Sequence, residues 1–403
     1  MYRILSGMRV VEAASFVAAP SCGLYLAQMG AEVIRFDQVG GGPDFRRWPR
    51  AENGASFFWE ALNKGKKSVA IDLGRPEGRE LAAALVTAPG AGRGLFVTNF
   101  PVGGFLAHDR LAARRPDLVT VRVMGRADGG QAVDYTVNCE VGIPMLTGEP
   151  GGGPVNHVLP AWDLLTGAYA AFAMLAAERQ RRESGHGQEV RIPLADMAIT
   201  SIANLGMLSE VLAAGADRPR YGNELFGAFG RDFPTADGHR IMIAAITPRQ
   251  WSDLIQALGL GAAVAAVEAE RGVSFATDEG QRFLHRDRLM PLVAEAIARR
   301  SRADLAAAFA GTGVCWGDYR SVLEAAHDPA LVTANPVFAP VEQVSGVVAP
   351  APGAAATFVG AERGAPVRAP RLGEHTDEVL AEVVGLGSGE IGRLHDSGIV
   401  QAG

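Results

Sequence analysis

Gly7-Met-Arg-Val-Val-Glu-Ala-Ala-Ser-Phe-Val-Ala-Ala-Pro-Ser-Cys-Gly-Leu-Tyr-Leu-Ala-Gln-Met-Gly-Ala-Glu-Val-Ile-Arg-Phe-Asp37 is the stretch that decides the fold. Arg9–Ala13 and Ala31–Phe36 are short apolar runs of strand length. Between them, Ser21–Gly30 places Leu24, Leu26, Ala27 and Met29 in a helical stretch that closes on a glycine. Strand, helix and strand within about 30 residues form a βαβ unit, which implies a parallel sheet. Ser68–Leu73, Gly94–Asn99 and Leu118–Met124 continue the strand series, with a helical stretch at Glu77–Leu85. The first 125 residues therefore read as an open α/β sheet with crossover helices.

Further along, a glycine-rich stretch, Gly125–Pro154, precedes a strand-like run, Val155–Leu159, and a long helix from about Asp163 to Arg182. A turn at Ser184–Gln188 leads to a strand at Glu189–Leu194, and Asp196–Ala214 has helical periodicity. Thr235-Ala-Asp-Gly separates two strands, Gly230–Phe233 and Arg240–Ile246, as a hairpin turn does. Helices follow from Arg249 to about Ala310, then a Pro/Ala/Gly/Val-rich extended tail, Asn335–Ala369, and a last helix or two in Thr376–Leu394. The expected organisation is a large domain over 1–220, a small α/β domain over 221–334, and a linker with C-terminal helices over 335–403 that returns to the large domain.

Composition narrows the function classes. The 403 residues are 48% hydrophobic and 20% charged, as expected of a folded chain. A net charge of −6 offers no global basic field for nucleic acid. No apolar run approaches the roughly 18–20 residues a membrane span requires. Three cysteines, at 22, 139 and 315, suit neither a disulfide framework nor a metal site. With no signal peptide at the N-terminus, a cytoplasmic enzyme without membrane or nucleic-acid partners is expected. The 50 glycines include clusters at 40–42, 125–130, 148–153 and 227–230 and imply tight turns and close backbone approaches.

The opening βαβ unit invites a dinucleotide site, with Asp37 where a ribose-binding acid would stand. Its first turn, Ala14-Ser-Phe-Val-Ala-Ala-Pro-Ser21, lacks the required glycines, however. No P-loop and no G-x-S-x-G elbow is present. Asn63-Lys-Gly-Lys-Lys-Ser68 is either a solvated surface patch or a cationic turn for a polyanionic tail. Asp163, in Leu159-Pro-Ala-Trp-Asp-Leu-Leu-Thr-Gly167, stands where apolar chain meets helix. An N-cap is the common use of Asp there. The same position would hold a carboxylate ionised beside free N–H groups, and so competent as a nucleophile. His157 is read as a packed or hydrogen-bonded residue, although it lies only six residues before Asp163.

In order along the chain, several landmarks resemble family III CoA-transferases. They are Gly7–Val11, Ala18-Ala-Pro20, Leu26-Ala-Gln-Met-Gly-Ala-Glu-Val-Ile34, Asn63–Ser68, the Asp163 segment, Gly185-His-Gly-Gln188 and Pro370-Arg-Leu-Gly-Glu-His-Thr-Asp377. The resemblance implies a large Rossmann-like domain, a smaller α/β domain and an interlocked homodimer. It implies a CoA thioester as substrate, with no metal and no other cofactor. By position, Asp163 falls on the catalytic nucleophile. The CoA-binding stretches fall on Val17 and Ala18, on Ile71, Asp72 and Leu73, and on Asn99, Phe100 and Pro101. An arginine common after the second strand is Gln38 here, so Arg46, Arg47 or the lysine turn, Lys66 in particular, is expected to meet phosphate instead.

Ala132–Tyr135, with Asp134 and Tyr135 as substrate-binding residues, falls nearer the thioester. The loop expected to cover Asp163 reads Phe226-Gly-Ala-Phe-Gly-Arg-Asp232, making Gly227, Gly230 and Arg231 further substrate-binding candidates. The superfamily also holds α-methylacyl-CoA racemases, which carry a His-Asp pair where this chain has Val133-Asp134. Valine moves no proton, which favours group transfer. Val155–Asp163, Gly125–Gly130 with Asp134–Asn138, and Gly222–Phe233 resemble a branch in which donor thioester and acceptor carboxylate belong to one C5 dicarboxylate. Arg126 or Arg231 is then expected to hold its free carboxylate.

Overall fold

A computed structural model describes residues 1–403. The chain divides into two compact units, the larger made of Met1–Val141, His157–Ala213 and His327–Gly403, the smaller of Gly142–Asn156 and Ala214–Ala326. The strands in chain order are β1 (Arg9–Ala13), β2 (Glu32–Gln38), β3 (Lys67–Ile71), β4 (Leu95–Thr98), β5 (Val119–Met124), β6 (Gln188–Pro193), β7 (Phe229–Pro234), β8 (Arg240–Ala245), β9 (Cys315–Asp318), β10 (Phe338–Glu342), β11 (Val348–Pro352) and β12 (Val400–Gln401).

The larger unit is an α/β layer structure on a seven-stranded sheet ordered β12-β3-β2-β1-β4-β5-β6. β1 to β6 run parallel, and only β12 is antiparallel, against β3. Alternation explains why its strands are apolar almost throughout. Val10, Val33, Leu95 and Val97 face one core with helices Ala18–Gln28 and Ala161–Ser184. Val11, Ile34 and Phe96 face the other, with helix Pro76–Val86 and the C-terminal helices. Both faces are covered, so both side-chain sets must be hydrophobic.

Helix Ala161–Ser184 ends at Gly185, whose φ of +74° closes the last turn through its N–H on the Arg181 carbonyl. Its N-terminal half presses on helix Ala18–Gln28 at Gly167. A Cβ there would lie 2.6 Å from the Ala18 carbonyl oxygen and 2.7 Å from Ser21 Cβ. Gly167→Ala is therefore expected to destabilise the fold by about 1–3 kcal/mol, outweighing alanine's better helix propensity. A lowered urea midpoint at unchanged slope would show it.

The smaller unit packs a β7-β8-β9 antiparallel sheet against helices Pro248–Leu258, Arg286–Ala298 and Arg302–Phe309. The expected hairpin forms, and Cys315–Asp318 adds a third strand that the sequence pattern did not announce.

Three local expectations are corrected. Val155–Leu159 is irregular chain, with Val158 almost wholly exposed, because no strand pairs with it. Asp196–Ala214 is two helices, Leu194–Asn204 and Met207–Ala214, meeting at 68° across Gly206, whose φ is +79°. The Asn335–Ala369 tail contains a β10-β11 hairpin. No single helix is long and apolar enough to cross a membrane.

Candidate active site

Strand order reverses between β1 and β4, and ligands of open α/β sheets bind outside the carboxyl ends of strands at such a switch point. A cavity of about 780 Å³ opens there. Its walls are Ser15–Ala18 after β1, Asn99–Val102 after β4, and Val123–Gly125 and Ala127–Val133 at and after β5, together with Asp163, Arg191 and Leu194. Val17, Ala18, Asn99, Phe100 and Pro101 thus share one cavity with Asp163. The Asn99 side chain ties the first two walls, accepting from Ser15 N at 3.2 Å and donating to Ser15 O at 2.9 Å. Arg122, a charge inside an apolar strand, holds the Asn99 loop from below through the carbonyls of Phe100, Pro101 and Leu106. Its strand context was the available signal, and motif reasoning passed over it.

Asp163 does not cap its helix. Pro160 occupies the N-cap and Asp163 the third helical position. The free N–H groups go instead to Asp134, whose Oδ2 accepts from Trp162 N at 2.7 Å and Asp163 N at 3.0 Å. Asp134 is 1% exposed, and its Oδ1 meets His157 Nε2 at 2.5 Å. It stands behind the cavity wall rather than in it. Tyr135 places its ring edge-on to His157, with centroids 5.8 Å apart. A histidine therefore does reach Asp134, from 23 residues along the chain, where the adjacent position is Val133.

This arrangement reverses the expected electrostatics. Burial, then the neighbouring Asp134 charge, pushes Asp163 up from 3.8 to about 7, with Arg47 acting in opposition. The helix N–H groups that would have held it ionised are already occupied. A group raised in this way is increasingly ionised as pH climbs through 7. If the carboxylate is the reactive form, kcat/KM should rise with pH along an acid limb near 7. Asp134→Asn should move that limb lower, because it removes the like charge. A pH–rate profile of the two proteins checks both signs.

Other expected contacts fall elsewhere. Lys66 is buried and withdrawn from any phosphate: its Nζ donates to both Glu12 oxygens at 2.9 Å, to Pro20 O at 2.9 Å and to Asn63 Oδ1 at 3.0 Å. Glu12 lies on β1 beneath the switch point, so the ammonium answers a buried carboxylate rather than solvent. Ile71, Asp72 and Leu73 lie at the end of β3 outside the cavity. There Gln38 donates to Asp72 Oδ1 at 2.9 Å and accepts from Leu73 N at 2.8 Å. Arg46 is exposed and outside the cavity. Gly227, Gly230 and Arg231 belong to the smaller unit: Gly227 precedes β7, while Gly230 and Arg231 lie on it, with Arg231 3.7 Å from Glu224. Arg126 pairs with Glu140.

An α/β switch-point cleft with a half-buried, proton-hungry aspartate at a helix start suits covalent acyl chemistry. The chain belongs to CoA-transferase family III, whose sequence profile matches residues 5–376. It is 50% identical over 404 aligned residues, covering 99% of this chain and 98% of the relative, to the 2-methylfumaryl-CoA isomerase of Chloroflexus aurantiacus. It is 30% identical to the succinate–glutarate CoA-transferase of Agrobacterium fabrum, over 94% of this chain and 95% of that one. Among solved structures, a CAIB/BAIF family protein from Brucella suis superposes with a TM-score of 0.76 at 28% identity, covering 95% of this chain and 100% of its own.

Proposed function

We propose that this enzyme moves CoA between the two carboxyl groups of 2-methylfumarate, converting 2-methylfumaryl-CoA to 3-methylfumaryl-CoA without a second acid. The half-identity to an isomerase of that name supports the substrate. The observation that carries the chemistry is Asp163, lining the cavity with its carboxyl group pushed up to about 7. A carboxylate of that basicity is a stronger nucleophile than an ordinary aspartate and is still substantially ionised at neutral pH.

Asp163 attacks the thioester carbonyl and expels CoA thiolate, leaving a mixed anhydride. The thiolate then attacks the aspartyl carbonyl of the anhydride. That forms an aspartyl–CoA thioester and frees the first substrate carboxylate. The second carboxylate attacks the aspartyl thioester, expelling thiolate and forming a new anhydride. Thiolate attack on its substrate acyl carbon restores Asp163 and leaves CoA on the other end. No net proton or electron is consumed. Anhydride and thioester both hydrolyse, so the cavity must exclude water and retain the diacid. CoA enters as substrate, its chain running past Val17, Ala18, Asn99, Phe100 and Pro101.

Incubation with 2-methylfumaryl-CoA alone, followed by chromatography, should yield 3-methylfumaryl-CoA, with an enzyme-bound thioester trapped by borohydride or hydroxylamine. Product formation only when free acid is added would instead identify an intermolecular transferase.

The reading includes a homodimer, interlocked as the family resemblance implies. Helix Ala161–Ser184 exposes Leu165, Tyr169, Phe172 and Leu175, an apolar stripe at helical spacing on a unit whose sheet ends at an unpaired β6. Sedimentation should give a mass near twice 42.3 kDa.

A further inference from the structure

We propose that Arg47 receives the free carboxylate of the dicarboxylyl thioester and holds the diacid while CoA changes ends; this rests on the isomerase reading above. The guanidinium carbon of Arg47 lies 5.5 Å from the ring centroid of Phe16 and 5.0 Å from that of Phe58. Two aromatic faces thus steady a cation that forms no ion pair with any carboxylate of the chain. Arg47 itself is exposed and stands outside the cavity lining; what links it to the wall shared with Asp163 is Phe16, nearly half of whose surface is exposed. Phe16 is the one residue other than glycine with positive φ, at +69°. Strain of that kind persists only where the surroundings enforce it, and it concentrates at functional sites.

Here the enforcing group is Asp44. Its Oδ2 accepts from Phe16 N at 3.1 Å, and its main-chain oxygen accepts from Arg47 N at 3.1 Å. Asp44 is buried and held at 3.0 Å by Arg35, which also grips Asp37 at 2.7 Å. One buried residue therefore orients both, its carboxylate holding the strained aromatic wall and its main-chain oxygen the turn that carries the cation. Ser56 adds a further tie by donating to the Arg47 carbonyl at 2.5 Å. Arg47 is also the cation whose field opposes the upward shift of Asp163, which places its charge within electrostatic reach of the nucleophile.

The alternatives are engaged. Arg191 lines the cavity but is bonded to Glu189 at 2.7 Å, and Arg126 pairs with Glu140. The proposed chemistry needs a free guanidinium. In the first half-reaction one substrate carboxylate is idle; after CoA has passed to Asp163, the diacid carries two. A guanidinium presents donors along more than one edge and can hold either carboxylate as the ends exchange roles.

The test compares the unaltered enzyme with Arg47→Ala and Arg47→Lys on two thioesters, 2-methylfumaryl-CoA and crotonyl-CoA, which has no second carboxylate. Arg47→Ala should raise KM for 2-methylfumaryl-CoA by about tenfold or more, as loss of a charge-assisted bond does. It should also release free 2-methylfumarate that the unaltered enzyme retains. Trapping of the aspartyl–CoA thioester from crotonyl-CoA should stay within about threefold, and Arg47→Lys should recover part of the KM loss. Equal losses on both thioesters, or unchanged KM and retention in Arg47→Ala, would overturn the assignment. Failure of the unaltered enzyme to isomerise 2-methylfumaryl-CoA at all would overturn the functional reading, an outcome separable from either.

Discussion

Under the proposed mechanism every covalent step passes through Asp163, so Asp163→Ala should lower turnover of 2-methylfumaryl-CoA by at least about 10³-fold and abolish the trappable enzyme–CoA thioester. A variant that kept a tenth of the activity would show that Asp163 is not the nucleophile. The same site predicts an opposite effect on stability. The folded-state pKa of Asp163 is raised from 3.8 to about 7, so its ionisation is costlier in the folded chain than in the unfolded one. At pH below about 3 the group is largely protonated in both states and costs almost nothing. As pH rises from 4 through 7 the unfolded state ionises first, and stability is lost over that window.

Asp163→Asn removes the penalty and should stabilise the protein at pH 8 by about 1–3 kcal/mol, after allowance for partial exposure and the helix-dipole interaction it forfeits. At pH 3 the two proteins should melt alike. Loss of activity with gain of stability would mark a site built for reaction at the expense of the fold. Urea denaturation of the pair at both pH values is the measurement.

Lys66→Met carries the second large effect, on the fold. Lys66 and Glu12 are both fully buried, and Arg35 reaches Glu12 only at 3.5 Å. Burial alone drives Glu12 towards protonation and Lys66 towards its neutral form, and their mutual contact opposes both. Removing the ammonium leaves a carboxylate in the centre of the sheet without its nearest cation, and takes a donor from Pro20 O and from Asn63 Oδ1, the latter keeping only Arg35 at 3.3 Å. A loss of about 3–5 kcal/mol is expected. The adjacent Lys67 is a control: it lies at the surface, 2.8 Å from Glu32 and 2.6 Å from Glu378, and Lys67→Met should cost no more than about 1 kcal/mol. Comparable losses from the two replacements would refute the contrast. Pro20 lies in the first turn of the helix that Val17 caps and Ala18 begins, so the cavity wall should loosen in the Lys66 variant as well.

That pair of lysines shows what could and could not be read in one dimension. In Asn63–Ser68 the cations look equivalent, and all of them suit a phosphate. Only the sheet decides that Lys66 turns inward to Glu12 while Lys67 turns outward. The signal lay elsewhere, in Glu12 and Arg35 interrupting the apolar runs of β1 and β2. A charge in such a run needs a buried partner, but its identity comes from another segment.

The five strands of the first 125 residues with the helices Ala18–Gln28 and Pro76–Val86, the start of the long helix near Asp163 and the α/β class were determined by the sequence by itself; the short helices Phe57–Asn63 and His108–Ala112 were not. Alternating and helical apolar periods are local properties, and burying them on both faces of a parallel sheet admits few arrangements. The placement of Asp163 at that junction was equally local. Its protonation was not: it depends on burial, on Asp134 occupying the helix N–H groups, and on Arg47, none of which adjoins it in the chain. Likewise His157 reaches Asp134, and Asp44 ties Phe16 to Arg47, only after folding. Coulomb energy and desolvation depend on separation in space and on the surrounding dielectric, so the charge states of this site were settled by the tertiary structure alone.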